Sequence, residues 1–159
     1  MAIVYNKPMS LHTDIRDQIK EAMKAKDAVR LQVLRGLVAA FTNDLVAKRR
    51  KPDEILTDEE ALAVISKEAR KRKESMELFE KGGRQDLVEN EKAELAILET
   101  YLPEQMSYDE VLAYVKQKQT EMGMTDKSKA GQFMGTIMKD LKGKAEGATV
   151  KQAIDSLFA

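Results

Sequence analysis

The sequence predicts an all-α protein, and three observations carry that expectation. Apolar residues recur at three- and four-residue spacing along most of the chain, helix-capping signatures precede those runs, and nothing alternates with the two-residue period of a strand. The expected architecture is an N-terminal helical region with a long antiparallel hairpin, residues 9–103, followed by a C-terminal three-helix bundle, residues 104–159. Residues 1–8 have no helical pattern and read as a loosely ordered lead-in.

The first helix is expected from Leu11 to near Lys26, with Leu11, Ile15, Ile19, Ala22 and Met23 on one face. Asp27 suits the N-cap of a second, more apolar helix carrying Val29, Val33, Leu34, Leu37, Val38, Phe41 and Leu45. A basic run, Lys48 to Lys51, and Pro52 follow it. Thr57 and Glu60 then form a capping box for a long third helix that Gly82-Gly83 should end. At about 1.5 Å per residue this helix spans about 35 Å.

Its seam reads Leu62, Ile65, Ala69, Arg72, Met76 and Phe79, and the fourth helix answers with Val88, Glu91, Leu95, Leu98 and Leu102. Both seams alternate three and four, so a reversal at the double glycine packs them as an antiparallel hairpin. Arg72 and Glu91 are charged intruders one layer apart. They form either a cross-seam ion pair or two snorkelling side chains at the seam edge.

Pro103 marks the expected domain boundary, and Ser107 with Glu110 repeats the capping box before a fifth helix to about Met122. Gly123 supplies its C-cap. A sixth helix, Ser128 to Leu141, contains Gly131 and Gly135, and the last helix is announced by Thr149. Interior glycines cost about 1 kcal/mol each relative to alanine, so two of them on one face call for close approach by another body. That body is either a neighbouring helix or an external ligand such as a phosphate backbone.

Composition narrows the function classes. The 159 residues include no cysteine, which excludes disulfides, a thiol nucleophile and thiolate zinc sites, and suits a reducing cytosol. No apolar run approaches the roughly 18 residues of a membrane helix, and no signal-peptide pattern opens the chain. A cytoplasmic protein with no membrane association is the expectation. The 27 basic and 27 acidic residues cancel, which argues against nonspecific coating of nucleic acid.

Catalytic signatures are missing: there is no Gly-x-Ser-x-Gly, no His-Glu-x-x-His and no phosphate-binding Gly-rich loop ending in Lys-Ser/Thr. The single histidine, His12, is expected to be exposed and without a role. Acidic pairs such as Glu59-Glu60 and Asp109-Glu110 sit at helix starts and read as caps. No catalytic residue, metal site or cofactor is expected.

Two basic features remain. Lys67, Arg70, Lys71, Arg72 and Lys73 on the third helix are interleaved with Glu68 and Glu74 and read as a solvated face. The second runs from Ser128 to Lys144, where Lys129, Lys139, Lys142 and Lys144 face one acid, Asp140, for a local balance of +3. Beside it lies a glycine-rich turn with Gly143 and Gly147. Its backbone N–H groups, the next helix N-terminus and these lysines form a candidate phosphate-contact surface. The alternative is an ordinary turn with solubilising lysines.

Several spaced motifs carry a resemblance to a known family. Arg70-Lys-Arg-Lys-Glu-Ser75, Phe79-Glu-Lys-Gly-Gly-Arg-Gln-Asp-Leu-Val88 and Tyr101-Leu-Pro-Glu-Gln105 closely resemble the GatB/YqeY family, as do Lys129-Ala-Gly-Gln-Phe-Met-Gly135 and Lys142-Gly-Lys-Ala-Glu-Gly147. The resemblance implies an all-helical protein in two parts. It also implies a relation to the tail of the tRNA-dependent amidotransferase B subunit, which contacts tRNA, and a carbon–nitrogen ligase label with glutamine as amide donor.

The residues limit that inheritance. Amidotransfer needs a glutaminase nucleophile and a nucleotide site, and neither signature is present. The expectation is therefore a non-catalytic, tRNA-associated accessory module, alone or docked on an amidotransferase complex. Lys129, Lys139, Lys142 and Lys144 would contact phosphates, and Gly131, Gly135, Gly143 and Gly147 would permit close approach. The rival is a protein-interaction module that grips a partner through the apolar faces of the first two helices or of the hairpin.

Overall fold

A computed structural model of the chain describes residues 10–158; the expected lead-in, residues 1–8, lies outside them. The described residues form seven α-helices and no strand: α1 (Leu11–Lys24), α2 (Ala28–Ala47), α3 (Asp58–Lys81), α4 (Gln85–Glu99), α5 (Tyr108–Met122), α6 (Ala130–Asp140) and α7 (Gly147–Leu157). A 3₁₀ turn, Lys127–Lys129, leads into α6. One compact unit runs through Leu102 and a second begins at Pro103.

In the first unit, Ser10 and Asp27 cap α1 and α2 by accepting from the Thr13 and Arg30 N–H groups. The α2 residues Val33, Leu34, Leu37, Phe41 and Leu45 are buried, but Val29 is 44% exposed and Met23 of α1 53%. Both were expected on the buried faces. A four-residue step overshoots one helical turn by about 40°, so the ridge running back from Phe41 through Leu37 and Val33 has rotated out of the core by Val29.

Both bonds of the capping box at Thr57 and Glu60 are formed. Leu56, immediately before the cap, and Ala61 are buried in the same core, as a hydrophobic staple requires. The basic run before it is held to acids: the Arg50 guanidinium reaches Glu54 at 2.8 Å and Glu60 at 3.0 Å, and Lys48 reaches Asp44 at 2.7 Å. The Thr57 N–H, followed by Lys48, which also reaches Glu60 at 3.1 Å, and Arg50, holds the Glu60 carboxyl down to about 2.

Gly83, at φ +70°, ends α3 with the Arg84 N–H bonded to the Phe79 carbonyl, a left-handed position that suits glycine. The chain reverses there and α3 packs along α4. Ile65, Ala69, Leu95 and Leu98 are buried, while Met76 and Phe79, further along, are half-buried. Arg72 does form the cross-hairpin pair, closest to Glu94 at 3.0 Å, with Glu91 at 3.7 Å.

His12 is the clearest departure from expectation in this unit. It is fully buried. Its Nδ1 accepts the Leu56 N–H at 3.0 Å, and its ring lies 4.8 Å from that of Phe41. Burial, reinforced by the Arg16 charge, pushes its pKa below the usual value of 6.5. The histidine is thus a structural fastener between α1 and the segment leading into α3.

In the second unit Ser107 and Glu110 complete the other capping box, and Gly123, at φ +61°, closes α5. Val111, Val115, Phe133, Ile137, Leu141, Val150, Ala153 and Ile154 form its core, with α7 packed against both α5 and α6. Phe133 and Phe158 meet edge to face at 5.8 Å. The last helix begins at Gly147, two residues before the threonine that announced it. A side chain at Gly147 would meet the Met138 sulfur at 3.8 Å.

Candidate nucleic-acid interface

The outward face of α6 is set by its own core contacts. Phe133, Ile137 and Leu141 point inward at four-residue spacing, so Gly131, Gly135 and Lys139, offset by two residues, lie on the opposite side. All three are exposed. A Cβ built on Gly131 or Gly135 would meet nothing within 4 Å. The expected approach of a neighbouring helix to these glycines is therefore not found, because the helices of this unit all pack on the other side.

The remaining candidates sit at the two ends of α6. Lys129 is exposed in the 3₁₀ turn before it, and exposed Lys142 and Lys144 flank Gly143 in the turn after it. Gly143 has φ +78°, so its glycine serves the turn conformation. Among the described residues no carboxylate lies within 4.0 Å of the four ammonium groups. Asp140, the one acid in this stretch, accepts from the Tyr114 hydroxyl at 3.1 Å instead.

The backbone of the turn is less available than its composition suggested. The Lys144 and Ala145 N–H groups both bond to the Leu141 carbonyl, at 2.9 and 3.1 Å. The Lys144 carbonyl accepts the Met106 N–H at 2.8 Å, and Gln105 donates to the Gly143 carbonyl at 3.3 Å. Those two amides cannot cradle a phosphate, and the N-cap of α7 is an acid, Glu146. What remains for an anion is the lysine side chains and the open glycine face.

The other basic feature separates into distinct parts. Arg72 pairs with Glu94, Lys71 with Glu68 at 2.8 Å and Lys73 with Glu99 at 3.9 Å. Lys67 and Arg70 remain exposed on the outer side of α3. Sequence reasoning did not anticipate the polar clasp at the start of α4's exit, where Tyr101 and Arg30 both donate to the Gln18 side-chain carbonyl. Tyrosine before Leu-Pro was visible as a motif, but its partners are more than seventy positions away.

This is an all-helical protein of two small units, with a basic, glycine-bearing helix face in the second. Residues 12–158 match the model of the family described as Yqey-like protein, and the chain belongs to that family. It is similar to the altered inheritance of mitochondria protein 41 of Kluyveromyces lactis, 35% identical over 91% of this chain and 80% of the relative. The Pyrenophora tritici-repentis protein of the same name is 32% identical over 82% of this chain and 71% of that protein.

These relatives are named as mitochondrial proteins, and that overturns the expectation of a cytoplasmic protein. The expectation rested on the lack of cysteine, of a membrane-length apolar run and of a signal-peptide pattern, none of which distinguishes the cytosol from the mitochondrion. Among the described residues no helix is long and apolar enough to cross a membrane.

Proposed function

We propose that the chain is a non-catalytic, tRNA-associated accessory module, related through its family to the tail of the amidotransferase B subunit. The observation that carries this reading is the outer side of α6: two glycines, Gly131 in the first turn and Gly135 in the interior, with open space above them, bordered by lysines that no described carboxylate neutralises. Gly135 weakens the helix interior, and no atom of the unit lies within 4 Å of a Cβ built at either glycine. A phosphate backbone laid along this face would take the lysine charges and use the missing side chains for close approach.

Because the Lys144 and Ala145 amides are engaged, Lys129, Lys139, Lys142 and Lys144 carry the contact through their side chains and base readout is not expected. The test is binding of unfractionated tRNA across a salt series, comparing wild type with Lys142→Glu/Lys144→Glu. Wild-type affinity should fall with a log–log slope of roughly −3 to −4, as about four phosphate contacts require, and the variant should lose most of it. Absence of binding at low salt, or binding indifferent to the two lysines, refutes the site.

A further inference from the structure

The outer side of α2 is a second helix face that its own unit leaves open. α1, α3 and α4 pack against the inner side, around Val33, Leu34, Leu37, Phe41 and Leu45. Val29, Gln32, Gly36, Ala39, Asn43 and Val46 follow one another on the other side, and all six are exposed. They recur at alternating steps of three and four residues, the spacing that lines up a seam for another helix. None is charged, in a chain where 34% of residues are. Arg35, at the seam's edge, is the one charged residue among the exposed positions of α2, and it donates to the Met23 sulfur at 4.0 Å.

Reversed end for end, this seam complements itself. Two copies of α2 laid antiparallel, with a two-fold axis level with Leu37 and Val38, set Val29 against Val46, Gln32 against Asn43 and Gly36 against Ala39. Apolar meets apolar at the ends, amide meets amide next, and small meets small at the centre, which is the match an isologous interface requires. The centre also accounts for Gly36, which lies mid-helix at a cost of about 1 kcal/mol relative to alanine. A Cβ built on it meets nothing within 4 Å. Opposite Ala39 of a second copy, it lets the two helix axes come close.

The charges around the seam are compatible with this pairing. Arg35 falls beside Thr42 of the second copy and about 7.5 Å along the axis from its own counterpart. Glu94 of α4, which accepts from Gln32 at 3.3 Å, is paired with Arg72.

We infer that α2 pairs antiparallel with α2 of a second copy of this chain through the seam from Val29 to Val46. At about 25 Å long, the seam sits at the small end of specific interfaces, so the dimer should form in the micromolar range. Sedimentation equilibrium of the full chain, 17.9 kDa, should show its mass rising toward twice that value with concentration. Ala39→Glu, which brings two carboxylates to the axis, should raise the dissociation constant by roughly tenfold or more and leave the helix content unchanged. Because the chain has no cysteine, direction can be tested as well. Val29→Cys/Val46→Cys should yield a covalent dimer on mild oxidation, whereas neither single variant should, since each position lies about 25 Å from its own counterpart in an antiparallel pair.

A one-chain mass up to several hundred micromolar, association untouched by Ala39→Glu, or a covalent dimer from either single variant overturns the assignment. The first result would leave this face to a different partner, and the last would make the pair parallel. The seam lies in the first unit and the test contains no RNA, so its outcome is independent of the tRNA reading.

Discussion

In the N-terminal unit Lys48, Arg50, Arg72 and Arg84 each lie 2.7–3.0 Å from a carboxylate, while in the C-terminal unit Lys129, Lys139, Lys142 and Lys144 have none in reach among the described residues. Three of these cations join elements: Arg50 and Lys48, both reaching Glu60, tie the end of α2 to the start of α3, and Arg72 ties α3 to α4, whereas Arg84 pairs with Asp86 two residues on. Among the described residues the C-terminal unit shows one ion pair, Lys118 to Glu121, and it lies within a single helix. Much of the first unit's charge holds its own elements together, whereas the lysines of α6 hold nothing in their own unit. Exposed pairs contribute little individually, so the contrast concerns availability to a partner more than stability.

The units differ in core size as well, and this gives the largest expected effect. Fourteen buried residues form the first core and eight the second. Phe41→Ala and Phe133→Ala should each cost about 3–5 kcal/mol, the usual range for a buried phenylalanine. The same loss is a larger share of the smaller core. Hydrogen exchange of the full chain should show residues 103–159 losing protection in Phe133→Ala under conditions where the first unit of Phe41→Ala stays protected. The reverse order would break the comparison.

Acid should act on the first unit through His12. Its native pKa lies below 6.5 because the buried ring is desolvated, so below pH 6.5 the unfolded chain takes up a proton that the native state refuses. Stability is then fully present above the unfolded value and declines as pH falls toward the depressed native one, with a slope approaching about 1.4 kcal/mol per pH unit. Urea midpoints between pH 7.5 and 5, read at the N-terminal unit, check this. His12→Gln, whose carbonyl can still accept the Leu56 N–H, should flatten the slope. Glu60 acts at lower pH: with its carboxyl at about 2, its contribution is present above the ordinary carboxylate range and disappears as pH falls toward 2.

Much of this was legible in the sequence because it was local. Thr57 with Glu60, Ser107 with Glu110, Asp27, Gly83 and Gly123 each mark a helix end through interactions three or four residues long. The seams of α3 and α4 were legible for the same reason, since their periodicity is internal to each helix. His12 was not, although it lies three residues before Ile15 on the face that is buried. Its burial depends on Leu56, a residue 44 positions away that seals the core only once α3 has docked. Arg72 shows the limit in finer form: the charged layer could be read, but the choice of Glu94 over Glu91 depends on where the hairpin places each carboxylate.

The smallest effect bears most directly on the candidate site. Gly135→Ala, in the interior of α6, should stabilise the C-terminal unit by about 0.5–1 kcal/mol, and Gly131→Ala, in its first turn, by less, since each added methyl enters open space and meets nothing within 4 Å. If the glycines serve only the fold, these variants should melt higher and bind tRNA as wild type does. If a phosphate backbone approaches α6 as proposed, the methyls stand in its path, and the same variants should melt higher while binding less. Thermal denaturation paired with tRNA titration distinguishes the two outcomes, because a rise in stability cannot itself weaken a surface whose lysines are untouched. Opposite movements of stability and affinity would show that these positions are kept small for the partner, and would extend the contrast between the two units from charge to shape.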